Sequence, residues 1–271
     1  MHIPDTAISP ITSAVAIAAM APVWNAASRR LRKDLDSKQV PLLAISAAFC
    51  FTIMMFNIPV PGGTTVHPVG GVLMAILLGP WAAVIGVTTA LIIQSLFFGD
   101  GGVLAIGANC FTMAFAMPFA GYLSYRLICG KSPSPGRTSF AAGAGAYIGL
   151  NVAALLTAVI LGIQPSIAHE ATGQALYFPF GLHVTVPAIM AAHLLVAGFA
   201  EAITTGLIVR YALSAGILQS HRLALATKKS GKLWIALAGL AALTPLGLLA
   251  KGDAWGEWGV DAITKQAGYT P

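Results

Sequence analysis

Nearly all the basic residues fall in three clusters, and the sequence between those clusters is strongly apolar. Of the 271 residues, 57% are hydrophobic and only 9% are charged, whereas a soluble domain carries about 25% charged residues. A soluble fold of this length cannot bury so much apolar surface. Because one helical crossing of a bilayer takes roughly 20 apolar residues, the sequence predicts an all-α, polytopic helical membrane protein with seven to eight transmembrane helices and short loops.

The basic clusters fix the predicted orientation, because loops rich in Lys and Arg stay in the cytoplasm. The clusters are Arg29, Arg30, Arg32, Lys33 and Lys38; then Arg126, Lys131 and Arg137; then Arg210, Arg222, Lys228, Lys229 and Lys232. If all three clusters are cytoplasmic, the N-terminus lies outside the cell. The net charge of +6 then reflects membrane topology, and nucleic acid is not expected as a partner.

Eight crossings satisfy this orientation. We predict them at residues 7–28, 41–59, 69–79, 81–98, 103–125, 138–163, 187–213 and 233–250. The segment 69–79 is too short for a bilayer core of about 30 Å at about 1.5 Å per residue, so whether it spans fully is left open. The loop before it, which ends at His67, is expected to dip into the helix bundle, where protein can satisfy its backbone.

The polar residues give little sign of catalysis. Cys50, Cys110 and Cys129 lie in or beside apolar runs without a CxxC spacing, which favours reduced packing residues. No Ser/His/Asp or paired-carboxylate arrangement can be placed on one side of the membrane. The sequence therefore predicts a protein that is not an enzyme and that uses no catalytic cofactor.

The first two residues, Met1 and His2, form a possible chelate for a metal ion. The Met1 amine, the Met1–His2 amide nitrogen and one His2 imidazole nitrogen close a five-membered and a six-membered ring around one ion. The predicted topology places His67 on the same side as a fourth nitrogen. Four nitrogen donors in a plane suit Ni²⁺ or Cu²⁺ and can accept Co²⁺. From the spacing alone, an exposed polar residue at a frayed terminus is the favoured interpretation of His2.

Three stretches of the sequence resemble one family. They are MHIPD at 1–5, FNIPVPGGTTVHPVGG at 56–71 and IIQSLFFGDGGVLAIGANCFTMAFAMPFAGY at 92–122. These resemble the CbiM/NikM family, the cobalt- and nickel-specific substrate-binding membrane subunits (S components) of energy-coupling-factor (ECF) ABC transporters. The resemblance covers most of 1–215, which we take as the substrate-binding membrane domain. Residues 216–271 are then a C-terminal extension with the crossing at 233–250 and an outer tail, in which TPLGLLAKGDAWGEWG looks like a tail carried by some members.

The resemblance implies a function and a metal site. Family members hold their metal with the N-terminal amine, the amide and imidazole of the second residue, and a His of the GGTxxH loop, which here are Met1, His2 and His67. The implied function is capture of Ni²⁺ or Co²⁺ outside the cell and import across a prokaryotic cell membrane. The implied partners are a CbiQ/NikQ-like transmembrane coupling subunit and CbiO/NikO-like cytoplasmic ATPases; a small CbiN-like accessory membrane subunit is a further candidate.

Other polar residues are candidates to support the site. Near His67 in the sequence lie Asn57, Thr64 and Thr65, which are candidates to orient its second ring nitrogen. Flanking the loop of the next hairpin lie Gln94, Asp100 and Asn109. These three either pin the N-terminal segment or cap helices, and the sequence favours neither role.

The chain carries no ATP-binding loop of its own. Gly130-Lys131-Ser132 mimics the end of GxxxxGK[ST], but Tyr125 occupies the first glycine position and no strand is expected before it. Energy must then come from partner ATPases. The alternative is a self-sufficient secondary metal-ion permease or channel, which would favour buried acids for ion coupling; Glu201 is the one acid well inside a predicted helix.

Overall fold

The computed structural model describes residues 1–34, 39–60, 64–131, 133–216 and 257–270. Within these ranges the chain is helical apart from one short hairpin and connecting loops. The α-helices are α1 Pro10–Asp34, α2 Val40–Met54, α3 Gly71–Leu78, α4 Pro80–Ile93, α5 Ile106–Asn109, α6 Met117–Cys129, α7 Pro135–Gly162, α8 Gln164–Ile167, α9 Leu182–Ala192, α10 Gly198–Ser214 and α11 Val260–Ala267. The hairpin strands are β1 Ile58–Val60 and β2 Thr64–Val66.

Several helices continue without a break through π-helical turns. Gln94–Phe98 extends α4, Cys110–Ala116 joins α5 to α6, and His193–Ala197 joins α9 to α10. Among the described residues, five continuous helices are long and apolar enough to cross a membrane, and α2 is a shorter apolar helix. The predicted polytopic helical membrane fold is therefore confirmed.

The predicted crossings agree with the helices except near the hairpin and the next loop. The predicted segment 41–59 ends as a helix at Met54 and continues into β1. The predicted segment 103–125 becomes helical only at Ile106. Both differences have one cause, since these residues build the loops at one end of the bundle. The predicted crossing at 233–250 lies outside the described residues.

The short helix α3 starts well below the end of the bundle. It has eight residues and is therefore about 12 Å long. The segment before it is buried, with His67 3% exposed and Val69 fully buried. The expectation that the His67 loop dips into the bundle is thus confirmed.

Glycines let α7 approach its two main neighbours closely. A Cβ at Gly145 would lie 2.6 Å from the Gly121 carbonyl oxygen of α6, and a Cβ at Gly143 would lie 2.9 Å from the Ala202 carbonyl oxygen of α10. Small residues at such positions let helix backbones pack in van der Waals contact, which drives helix association in a bilayer. This packing holds α6 and α10 against α7.

The two ends of α4 have different chemical character. Near its start, Arg30 of the first basic cluster stacks on Trp81 with its guanidinium carbon 4.7 Å from the ring centroid. Just past its far end, Asp100 contacts His2. The first basic cluster and the N-terminus therefore lie at opposite ends of the bundle. This separation is what an outside N-terminus requires, and the orientation itself stays a prediction.

We expect Gly145→Ala to destabilise the protein by about 1–3 kcal/mol, because the added methyl group meets a backbone carbonyl that cannot move aside. Gly136→Ala is the matched control: it lies in the same helix, and its nearest neighbour, the Arg210 guanidinium, is 3.9 Å from the added Cβ. Thermal unfolding midpoints in detergent measure the difference. Equal midpoints for the two variants would contradict the close packing of α6 on α7.

Candidate metal centre

The N-terminal segment is held in place through the backbone of Ile3. The Ile3 amide donates to Asn109 Oδ1 at 2.8 Å, and Asn109 Nδ2 donates to the Ile3 carbonyl at 3.0 Å. The Gly102 amide donates to the same carbonyl at 2.9 Å. Asn109 is 1% exposed, so its two bonds are sheltered from water. The first residues of the chain are thus fixed one position away from His2.

A second anchor is the carboxylate of Asp5. It accepts backbone N–H bonds from Val103 at 3.1 Å, Leu104 at 2.8 Å and Ala105 at 2.9 Å. These amides lie at the start of α5, where helix N–H groups lack partners and favour an anion. A Cβ at Gly102 would lie 2.5 Å from the Asp5 amide nitrogen, so the loop can approach only because this residue is glycine. No role was predicted for Asp5 from the sequence, where the acid in MHIPD is its only signal.

The loop that carries His67 is fixed by Glu201. The carboxylate of Glu201, which is 1% exposed, accepts the Val69 amide at 2.7 Å and the Gly70 amide at 2.9 Å. Gly70 has φ +79°, and the Phe49 ring would lie 3.0 Å from a Cβ there, so a side chain is excluded. Glu201 thus satisfies buried backbone groups at the start of α3 and holds the segment two residues after His67.

These anchors bring the predicted donors together. The Met1 amine nitrogen lies 3.3 Å from His67 Nε2. The rings of His2 and His67 stack with centroids 5.0 Å apart and an interplanar angle of 22°. Nitrogen ligands sit about 2.0–2.1 Å from ions of this size, so two such ligands at right angles lie about 3 Å apart. The separation of the Met1 and His67 nitrogens suits two ligands of one ion.

The remaining ring nitrogens have different surroundings. His67 Nδ1 lies 3.1 Å from the Pro68 carbonyl oxygen, which can hold this ring with Nε2 facing the site. His2 Nδ1, the nitrogen that closes a six-membered chelate ring, lies 3.2 Å from Asp100 Oδ1. His2 Nε2 is buried and has no hydrogen-bond partner among the described residues.

Both imidazoles are neutral near pH 7. Burial, followed by the positive charge of the Met1 amine, lowers the pKa of His2 to about 4. The same two causes lower the pKa of His67 to about 3. A neutral imidazole is the form that binds a metal ion, so neither ring must lose a proton before it becomes a ligand.

Glu257 is a member of this cluster that the sequence did not predict. One oxygen of its carboxylate accepts a hydrogen bond from the Met1 amine and another from the His2 amide, the latter at 2.7 Å. Burial is the largest single influence and acts to raise the pKa of this carboxyl, but the Met1 ammonium, its hydrogen bond and the two nearby imidazoles together outweigh burial and hold the pKa at about 2. Single ligand atoms of His2, His67 and Glu257 lie within 4.8 Å of one another. The only sequence signal for Glu257 is its place in the segment GDAWGEWG of the tail.

The other predicted residues occupy varied positions. Gln94 is fully buried, and its Nε2 lies 3.5 Å from Asp100 Oδ2. Gln94 therefore contacts the same carboxylate that contacts His2. Thr64 and Thr65 belong to β2, and Asn57 precedes β1. The carbonyl of Pro68 makes the contact to His67 Nδ1 that these three were candidates to make. A positioning role for them stays a prediction.

The remaining histidines of the described ranges lie apart from this donor set, and His221 lies outside those ranges. His169 and His183 are exposed. His193 is buried, and its Nδ1 lies 2.8 Å from the Ile189 carbonyl of its own helix. The donor set that can face one ion is therefore dominated by nitrogen, which favours Ni²⁺, Cu²⁺ or Co²⁺ over Mg²⁺ or Ca²⁺.

A membrane bundle with a nitrogen-rich cluster at one end is the arrangement expected of the transition-metal transport proteins. The chain belongs to the CbiM family: residues 2–217 match the model described as cobalt uptake substrate-specific transmembrane region. It is 46% identical to the fused nickel transport protein NikMN of Rhodobacter capsulatus, covering 99% of this chain and 78% of that protein. It is 34% identical over 160 residues to the cobalt transport protein CbiM of Sorangium cellulosum, covering 56% of this chain and 71% of that protein.

A solved structure shows the same fold. The match is to the crystal structure of a transition metal transporter, which is 50% identical to this chain in sequence. The match covers 86% of this chain and 99% of the transporter chain, with a TM-score of 0.76. The protein is thus a multi-pass membrane protein of a nickel and cobalt transport family.

Blocking the Met1 amine should abolish tight metal binding. An N-terminal extension or an acetyl group on Met1 removes one donor and the five-membered chelate ring, and the buried site has no room for added residues. We expect an extended chain to lose at least about 100-fold in Ni²⁺ affinity, measured by calorimetry, as ligand losses exceed the 10–100-fold typical of indirect contacts. The same extension removed by a protease should restore binding. Undiminished affinity in the extended chain would place the site elsewhere.

Metal binding near pH 7 should release two protons, one from the Met1 ammonium and one from the His2 amide. The two imidazoles add no proton to this count, because with pKa values near 4 and 3 they are already neutral between pH 6 and 8. Affinity should therefore fall by about 100-fold per pH unit on acidification while the amine is protonated. Calorimetry in buffers of different ionisation enthalpy counts the protons. A count of zero would exclude the amine and the amide as ligands.

Proposed function

We propose that this chain captures Ni²⁺ or Co²⁺ at the outer face of the membrane and imports it as the S component of an ATP-driven ECF transporter. The observation that carries this proposal is the convergence of the Met1 amine, His2 and His67 in a buried site at the end of the bundle opposite the first basic cluster. In the proposed complex the chain supplies the metal site and the membrane path. The metal is cargo and takes part in no reaction.

In the proposed capture, protons leave or move within the site, whereas the backbone that holds the donors keeps its position. The Met1 ammonium and the His2 amide each lose a proton, while His67 Nε2 is already free of one. His2 Nδ1 exchanges its contact with Asp100 for the ion, and the proton that Nδ1 carries toward that carboxylate moves to Nε2, so the ring stays neutral. Because Asn109 and Asp5 hold the terminal segment before the metal arrives, little conformational entropy is lost on binding.

The energy source is proposed to lie in partner chains. Residues 125–129, which precede the sequence Gly130-Lys131, belong to helix α6, whereas an ATP-binding loop follows a strand. This supports CbiQ/NikQ-like and CbiO/NikO-like partners as the coupling and ATPase subunits, with a CbiN-like subunit as a further candidate.

The alternative, a self-sufficient permease or channel, needs an acid that is free to couple ion movement. Glu201, the acid considered for this role, is engaged by the Val69 and Gly70 amides. Breaking those bonds in each cycle would leave buried amides without partners, at about 1–3 kcal/mol each. This favours a structural role for Glu201 and a transport cycle driven from outside the chain.

Reconstitution tests the proposal. Proteoliposomes with this chain, a coupling subunit and ATPases should take up ⁶³Ni²⁺ or ⁵⁷Co²⁺ only with ATP, and those with this chain alone should show no sustained uptake. His67→Ala should abolish uptake in the full complex, while His183→Ala, an exposed histidine, should leave it unchanged. Sustained uptake by this chain alone would establish the permease alternative. Uptake of one labelled metal, measured with an excess of the other metal present, shows whether the complex prefers nickel or cobalt.

A further inference from the structure

The C-terminal tail docks on the metal site through aromatic and aliphatic contacts. Trp258 is 7% exposed and stacks on Phe178 with ring centroids 6.1 Å apart and an interplanar angle of 11°. The same indole packs edge-on against Phe180 at 6.2 Å. From α11, Ile263 is 2% exposed and belongs to the same apolar core as Met1 and Ile3.

The surface that receives the tail is itself attached to the N-terminal segment. The Phe178 amide donates to the Ala7 carbonyl at 3.3 Å. The chain from Ala7 back to Met1 is held by Asp5 and Ile3, as described above. Glu257, which directly precedes Trp258, is therefore delivered to the chelate by a docked segment rather than by chance contact of a loose tail.

We propose that Glu257 is an additional ligand of the transported metal, an oxygen donor that joins the nitrogens of Met1, His2 and His67 in the coordination shell. This inference rests on the proposed metal capture at those residues. It extends the site from a four-nitrogen plane to a five-donor shell. It assigns the tail a function in binding that the membrane domain does not supply.

The positions of the atoms support this role. A single Glu257 oxygen contacts the two nitrogens, those of Met1 and His2, that would form the five-membered chelate ring. Two ligands at right angles around one ion lie about 3 Å apart, close to the 2.7 Å between this oxygen and the His2 nitrogen. When the two protons leave and the ion enters, a small retreat of the carboxylate converts the hydrogen-bond acceptor into a metal ligand.

The balance of charge favours the same conclusion. A divalent ion bound to a deprotonated amide carries a net charge of +1, in a site where Met1, His2 and His67 are 3–6% exposed. A buried net charge is costly unless it is paired. The Glu257 carboxylate makes the complex neutral. Asp100 is less suited to this role, because its side chain is 34% exposed and contacts the His2 ring rather than the chelating nitrogens.

Three variants test the proposal in the full-length chain with Ni²⁺ as the probe. Glu257→Ala removes the donor, and Glu257→Gln retains the shape but loses the charge. Asp261→Asn is the matched control, since it neutralises an exposed acid of the same tail. We expect both Glu257 variants to lose about 10-fold or more in Ni²⁺ affinity, with the alanine variant more affected, and Asp261→Asn to bind like the parent chain.

The magnetic state of the bound ion separates a ligand from a tail that only packs. Four nitrogens in a plane give diamagnetic Ni²⁺, whereas an added oxygen donor favours the paramagnetic form. The parent chain and Trp258→Ala, which loosens the tail but keeps the carboxylate, should bind paramagnetic Ni²⁺; Glu257→Ala should bind diamagnetic Ni²⁺. Unfolding midpoints of the metal-free proteins confirm that each variant is folded.

The proposal is overturned if Glu257→Ala binds Ni²⁺ as tightly as or more tightly than the parent chain, or if its bound Ni²⁺ has an unchanged magnetic state. Glu257 would then only occupy the metal-free chelate. Failure of the underlying metal capture has a different signature: the N-terminally extended chain would bind as well as the parent chain. The two failures are therefore distinguished by separate proteins.

Discussion

A chelate that begins at the chain's own amine depends on holding a chain terminus still. Termini are ordinarily the most mobile part of a protein, yet here Ile3 is fixed by Asn109 and Asp5 is fixed by three amides at the start of α5. These bonds place Met1 beside His67, and every other feature of the site depends on that placement. If the anchors were lost, the donors would remain in the sequence but would have to be collected from a flexible segment on each binding event.

The membrane bundle supplies the rigid frame for these anchors. Glycines of α7 let α6 and α10 pack at backbone contact, and the short helix α3 leaves space at one end of the bundle into which the His67 loop descends. Without Glu201, two buried amides at the start of α3 would lose their hydrogen-bond acceptor, which is costly inside a membrane bundle. A polar residue inside a transmembrane helix thus fixes the position of a loop, and through that loop the position of His67, a proposed metal ligand.

Electrostatics prepares the site for a cation while it is still free of metal. Burial keeps both imidazoles neutral, and Glu257 balances the positive charge of the Met1 amine. The negative carboxylate and the neutral rings leave two protons to be exchanged for the ion. Transport proteins must release what they bind. In the proposed site, the Met1 amine and the His2 amide can take their protons back directly when the metal leaves.

The sequence by itself determined the class of fold and the approximate bounds of most described helices, and it predicted Met1, His2 and His67 as donors. It could do so because apolar length and chelate-ring size are local properties of the chain. The roles of Asp5, Glu201 and Glu257 were decided only by the tertiary structure, since each acts on backbone amides that are distant in sequence: 98–100 residues for Asp5, 131–132 for Glu201 and 255 for Glu257. The spacing of residues in the sequence does not indicate which amides a carboxylate will bind. The choice depends on how α3, α5 and the C-terminal tail pack at one end of the bundle.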